Sequence, residues 1–157
     1  MSYILIDGYN LIGIQHNDIS LERERLIKTL SDYKKKTLHE ITVVFDGWKA
    51  GGVIEDRTVI GGITVIFTRI RDKADSVIKR LIEESKRQVI VVSSDRDIAS
   101  FAWSHNAIPI GSEEFIEAVR AKHRDDESED SEEVYDYRTP KGGSKKKKAI
   151  GRALRRL

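Results

Sequence analysis

Tyr3-Ile4-Leu5-Ile6-Asp7-Gly8 is a short apolar run that stops at an Asp-Gly pair, the signature of a buried strand running into a turn. The pattern returns twice. Ile41-Thr42-Val43-Val44-Phe45 ends on Asp46-Gly47, and Val89-Ile90-Val91-Val92 ends on Ser93-Ser94-Asp95-Arg96-Asp97. Helical periodicity fills the gaps. Leu26, Ile27, Leu30 and Tyr33 share one face of a helix that Ser20 is placed to cap, with Glu22 in its first turn and Lys34, Lys35 and Lys36 at its end. Val77, Ile78, Leu81 and Ile82 mark a second helix, residues 97 to 104 a short one, and Ser112 is placed to cap a last one running to about Lys122. Further strands are expected at Ile63 to Thr68 and Ala107 to Ile110, with Gly51-Gly52 and Gly61-Gly62 bracketing a loop or short ribbon. Strands that are aliphatic throughout and alternate with helices predict an α/β domain with a mainly parallel, doubly wound sheet covered on both faces.

The 157 residues suffice for one hydrophobic core and not for two ordinary domains. There is no cysteine, which excludes disulfides, thiolate metal sites and cysteine nucleophiles and suits a reducing cytoplasm. No signal peptide and no membrane span is expected from the apolar runs. After Arg124 the composition breaks. Asp125 to Asp136 is almost wholly acidic or small and polar, and from Arg138 onward there is no acidic residue. Such blocks bury too little apolar surface to order themselves. The expected organisation is a domain over 1–122 and an acidic-then-basic tail over 123–157, disordered or partly helical. In that tail Ile150, Ala153, Leu154 and Leu157 would share one face of a helix that forms on a partner.

Parallel strands put all their C-terminal ends on one edge, where open α/β sheets bind ligands. Asp7, Asp46 and Asp95 each follow a strand, Asp97 lies one short turn further, and Asp75 opens the second helix. Carboxylates gathered in this way repel unless a cation compensates. Without cysteine or clustered histidine, oxygen ligands select Mg²⁺ or Mn²⁺, an ion that activates water and stabilises a phosphodiester in flight. Asn10, three residues after Asp7, is placed to orient water or a phosphate oxygen. Each residue also has a plainer role. Asp-Gly is a common turn, Asp75 and Asp95 suit helix caps, and Asp97 suits a helix dipole; the shared edge favours function. His16, His39, His105 and His123 are scattered, no G-x-S-x-G elbow surrounds Ser93 or Ser94, and no glycine-rich phosphate loop follows the first strand.

Ile4-Leu5-Ile6-Asp7-Gly8-Tyr9-Asn10-Leu11-Ile12, Val43-Val44-Phe45-Asp46-Gly47, Ala74-Asp75 leading into Ile78, and Val92-Ser93-Ser94-Asp95-Arg96-Asp97 together resemble the NYN-domain family. The resemblance is to its YacP-like branch within the PIN-like nuclease superfamily, in the right order over about residues 3 to 121. It implies a three-layer α/β/α Rossmann-like domain and Mg²⁺- or Mn²⁺-dependent endoribonuclease activity, with a link to ribosome-associated RNA. It also implies an acidic site of Asp7, Asp75, Asp95 and Asp97 with Asn10 beside it, and Asp46 as an outer ligand. Ser76 stands where members often carry a second acidic residue, which removes one possible ligand.

RNA requires cationic and aromatic surface around such a site. Lys49 and Arg57 in the glycine-bracketed loop, with Arg69, Arg71 and Lys73 before Asp75, are the expected phosphate contacts. Tyr9 and Trp48 suit base stacking. Lys145, Lys146, Lys147, Lys148 and Arg152 would extend the contact from the tail. Two rival readings are an aspartyl-nucleophile phosphatase at Asp7, opposed by Tyr9 where a second aspartate is needed, and a non-catalytic RNA- or ribosome-binding module.

Overall fold

The computed structural model describes residues 1–13, 18–47, 52–124 and 144–157. Six strands form one sheet: β1 (Tyr3–Asp7), β2 (Glu40–Phe45), β3 (Asp56–Ile60), β4 (Ile63–Phe67), β5 (Val89–Val92) and β6 (Ala107–Ile110). Their order is β3-β4-β2-β1-β5-β6. All neighbours are parallel except β3, which returns antiparallel onto β4 through Gly61 and Gly62. Both glycines have positive φ, 58° and 83°, as a two-residue hairpin turn of matching twist requires.

The alternation of each central strand sorts its side chains between two layers. Ile4, Ile6, Val43, Phe45, Ile90 and Val92 face one core, and Leu5, Val44, Val89 and Val91 face the other. Helices α3 (Ala74–Glu84) and α4 (Arg96–Ser104) cover the second core through Val77, Ile78, Ile82, Ile98 and Ala102. On the first lie α1 (Gly8–Ile12), α2 (Ile19–Thr37), α5 (Ser112–Arg124) and α6 (Lys145–Arg156). The three-layer α/β/α domain expected from the sequence is the one found.

Four expectations are corrected. Asp7-Gly8 opens the five-residue α1 rather than a simple turn. Helix α2 is capped by Asp18, whose carboxylate accepts from the Leu21 amide at 3.0 Å, and Ser20 lies inside the helix. Ser112 is the first residue of α5, and its hydroxyl is used elsewhere. The basic end of the chain is not a free arm. Ala153 and Leu157 are buried in the first core, with Ile150 and Leu154 packed against it. The Tyr33 hydroxyl donates to the Leu157 carbonyl at 2.7 Å, and His39 Nε2 lies 2.9 Å from the Arg156 carbonyl. The apolar stripe is therefore the one read from the sequence, but its partner is the domain itself. A marginal helix becomes stable once such a face is buried. Residues 125–143, the acidic block among them, lie outside the described residues.

Candidate active site at the strand ends

Asp7 ends β1 with its backbone extended, and α1 begins at once. Gly8 permits that sharp entry, since a Cβ there would run into the Phe45 ring. The Ser93 hydroxyl donates to Asp7 Oδ2 at 3.4 Å. Burial pushes the Asp7 carboxyl up from 3.8 to about 6. The Asn10 backbone N–H and the Ser93 hydroxyl pull the other way, and the charges of Asp95 and Asp46 add to the rise.

Asn10, on α1, ties three segments together. Its Oδ1 accepts from the Ser94 amide at 2.8 Å and the Ser112 hydroxyl at 2.6 Å, while the Ser112 amide donates to Ser94 Oγ at 3.2 Å. With the carbonyl oxygen engaged twice, the Asn10 amide nitrogen is the end left to donate outward.

The other carboxylates are used by the fold to different degrees. Asp95 caps α4, accepting from the Asp97 amide at 2.7 Å and the Ile98 amide at 3.4 Å. Asp97, with 72% of its side chain exposed, pairs with the Lys79 ammonium. Asp46 Oδ2 accepts from the Ala74 amide at 3.3 Å, capping α3 from a distant loop because Lys73, at the cap position, has no acceptor side chain. Asp75 differs. Its Oδ1 is buried and has no hydrogen-bond partner among the described residues. A buried carboxylate oxygen left unpaired is costly unless a cation meets it.

Three groups escaped the sequence reading. Ser93 and Ser112 position Asp7 and Asn10, and only their adjacency to strand ends hinted at this. Lys79 sits one helical turn after Asp75, an i,i+4 spacing that would have located it. Its ammonium is held charged above the usual lysine value by Asp97 first, with the charges of Asp75 and Asp95 adding. Lys79 is thus a cation set among the acidic groups.

The donor set is all oxygen and suits a hard divalent ion. Asp7 and Asp75 retain oxygens unused by the fold, and Asp95 has its second oxygen. Among the described residues no three acidic or imidazole groups converge closely enough to enclose an ion by themselves. An ion here would therefore be shared with water or a phosphate oxygen, as Mg²⁺ commonly is.

The expected RNA contacts divide. Arg69, Arg71 and Lys73 lie on the β4–α3 connection, beside Asp46 and Asp75 in the chain path. Arg71 and Lys73 are exposed, and Arg69 approaches Asp72 at 3.7 Å. Arg57 lies on β3, paired with Glu55 at 3.6 Å. The Tyr9 ring packs on Phe45 at 5.1 Å and its hydroxyl accepts from Arg23 at 3.2 Å. Lys145 to Lys148 and Arg152 are exposed on α6, away from this edge. Trp48 and Lys49 lie outside the described residues. Among the described residues no helix is long and apolar enough to cross a membrane.

Known proteins resemble this chain in sequence and in fold. The family model for the YacP-like NYN domain matches residues 4–156. The protein YacP of Bacillus subtilis strain 168 is 27% identical over 134 residues, covering 79% of this chain and 78% of that one. Two crystal structures of Rae1 (YacP) from Bacillus subtilis, one of them a mutant, are similar in fold. The mutant has a TM-score of 0.68 at 26% identity, covering 81% of this chain and 80% of that chain. The other has a TM-score of 0.65 at 27% identity, covering 81% and 78%. A match that runs through α6 agrees with the packing of that helix into the core. The chain belongs to the YacP-like NYN domain family, a nuclease-type, RNA-related class of module.

Proposed function

We propose that the protein is an endoribonuclease that hydrolyses RNA phosphodiester bonds with the help of Mg²⁺ or Mn²⁺. The observation that carries this reading is the buried, unpartnered Oδ1 of Asp75 on the edge that also holds Asp7. Two carboxylates kept partly dry, without donors enough to satisfy them, are costly to a fold and useful to a cation site. Asp7, Asp75 and Asp95 would each face the ion, directly or through its bound waters, with Asp46 and Asp97 outside them. When bound, the ion supplies an activated water and neutralises charge on the phosphate.

The chain's own groups do the remainder. Asn10, fixed by Ser94 and Ser112, offers its amide nitrogen to water or a phosphate oxygen. Lys79 offers a positive charge at the same edge, where negative charge develops on the phosphate. Arg71 and Lys73 are exposed on the approach to α3 and suit backbone phosphates. The expected setting is cytoplasmic, with ribosome-associated RNA among the substrates.

The test is cleavage of single-stranded and structured RNA by the purified protein in Mg²⁺, in Mn²⁺ and in EDTA, beside Asp75→Asn. Cleavage in either metal, lost in chelator and in the variant, is the expected result. Full cleavage in EDTA, or by Asp75→Asn, would overturn the reading. Metal binding by calorimetry without cleavage of any RNA would favour a non-catalytic RNA-binding module.

A further inference from the structure

Helix α6 carries four lysines and three arginines in KKKKAIGRALRR and no acidic residue. Its position is fixed by contacts at the start of the strands, the end opposite the carboxylates. The Arg156 carbonyl lies 2.9 Å from His39 Nε2, just before β2, and its guanidinium reaches Gln88, just before β5, at 3.5 Å. At its other end the Lys146 ammonium lies 5.5 Å from the Trp103 ring centroid, in the last turn of α4. Helix α4 starts at the carboxylate edge with Asp95, so its last turn is at the far end. Helices α2 and α5 finish there too, with Lys34 to Lys36 on one and Lys122 and Arg124 on the other. The Lys36 ammonium comes within 3.4 Å of His123 Nδ1.

Apart from the Lys146 contact with Trp103, the fold gives no reason for the charges that open α6. Lys145 to Lys148 occupy the first turn of α6, where the positive end of the helix dipole disfavours cations, and that turn has no acidic residue. All four are exposed, as are Arg152 and Arg155, and none forms an ion pair among the described residues. Only the opposite face, with Ala153 and Leu157, is used for packing.

We infer that α6 and the adjoining ends of α2 and α5 form an RNA-docking surface separate from the cleavage edge. The inference rests on the proposed ribonuclease activity and names where its substrate is held. Seven cations on twelve residues match the charge density of a phosphate backbone, and an anion would relieve their mutual repulsion. A five-residue strand spans about 17 Å. RNA bound at both poles must therefore extend beyond about five nucleotides at 3.4 Å per step. Long or folded RNA gains from α6, and a very short oligonucleotide does not.

The experiment compares the full-length Asp7→Asn protein with the same protein carrying K145Q, K146Q, K147Q, K148Q and R152Q. Binding is read by fluorescence anisotropy of a labelled long structured RNA over a salt series without divalent metal. The five substitutions should weaken binding by ~10-fold or more and reduce the salt slope by about three, at somewhat under one unit per phosphate contact. Circular dichroism should show α6 retained, because glutamine removes an unfavourable dipole interaction. A second variant, R152Q with R155Q, leaves the first turn intact and should give a smaller loss in the same direction. In the Asp7-containing background, cleavage of the long RNA should show a raised KM with little change in kcat. Equal affinity and equal slope with all five charges removed would overturn the inference. So would loss of binding to anionic phospholipid vesicles with RNA binding unchanged. Because binding is read without cleavage, failure of the nuclease reading would leave this result standing, and the reverse also holds.

Discussion

The five aspartates of the carboxylate edge fall into two groups that one residue type and one location do not distinguish. Asp46, Asp95 and Asp97 each have an oxygen engaged by the fold: a helix start, a helix cap and a surface ion pair. Asp7 and Asp75 are less satisfied, Asp7 buried with only the Asn10 backbone amide and a long Ser93 hydroxyl contact to set against its desolvation, and Asp75 with a buried orphan oxygen. Capping carboxylates cost nothing to keep because helix formation rewards them. The inner pair has no such structural return, and that asymmetry is why the proposed metal site centres on it.

The largest expected effect separates the groups by activity. Asp7→Asn and Asp75→Asn should lower kcat/KM for RNA by roughly 10²–10³-fold or more, the scale of losing one preorganised electrostatic group. Asp97→Asn should lose ~10-fold, as outer groups of metal sites do. Steady-state cleavage of one RNA by all three variants checks the order, and a larger loss at Asp97 would reverse the assignment.

Stability should show the opposite ranking. The folded protein prefers the protonated form of Asp7, so this group's contribution is full below about pH 4 and is lost as pH rises through about 6. A rise from 3.8 to about 6 corresponds to about 3 kcal/mol. Metal-free protein should thus lose stability across that window, and Asp7→Asn should be the more stable protein at pH 7 by up to this amount. Urea unfolding at pH 4 and pH 7 in EDTA measures both. Added Mn²⁺ should stabilise wild type and leave Asp7→Asn nearly unmoved.

Asp95 allows its two roles to be separated. Asparagine caps helices about as well as aspartate, so Asp95→Asn should keep stability within ~0.5 kcal/mol while losing activity. Asp95→Ala should lose both, with about 1 kcal/mol of stability from the cap. If Asp95→Asn cleaves RNA at the wild-type rate, capping is its whole role. The smallest effect is expected at the Lys79–Asp97 pair. It is exposed on the Asp97 side, and Asp97→Asn should change stability by less than ~0.5 kcal/mol.

The strands were legible in the sequence, and so was the set of candidate site residues, because both rest on local patterns. Aliphatic runs ending on aspartate define buried strands, and parallel order alone gathers their ends. What the pattern lacked was the identity of each oxygen's partner. Ala74 is 28 residues from Asp46, and Ser112 is 102 from Asn10, so no window in the chain contains either bond. Helix α6 was misplaced for a related reason. Its stripe of Ile150, Ala153, Leu154 and Leu157 was visible, but a composition break looks like a domain boundary unless something distant covers the stripe. Tyr33 and His39 do so from more than a hundred residues away. Lys79 does carry a local signal, its i,i+4 spacing from Asp75.

The hydrogen bond from Tyr33 to Leu157 spans 124 residues, and this has a consequence for the order of folding. Contacts between distant segments form late, because the entropy of closing the loop is spent before the contact returns anything. The six strands and the helices that link them can close through nearer pairings, whereas α6 must wait for a surface on which to dock. Refolding should therefore show two events. The first restores most of the strand and helix signal. The second, slower event buries Ala153 and Leu157 and assembles the cationic pole, so a chain interrupted between them would present the carboxylate edge before the cationic pole.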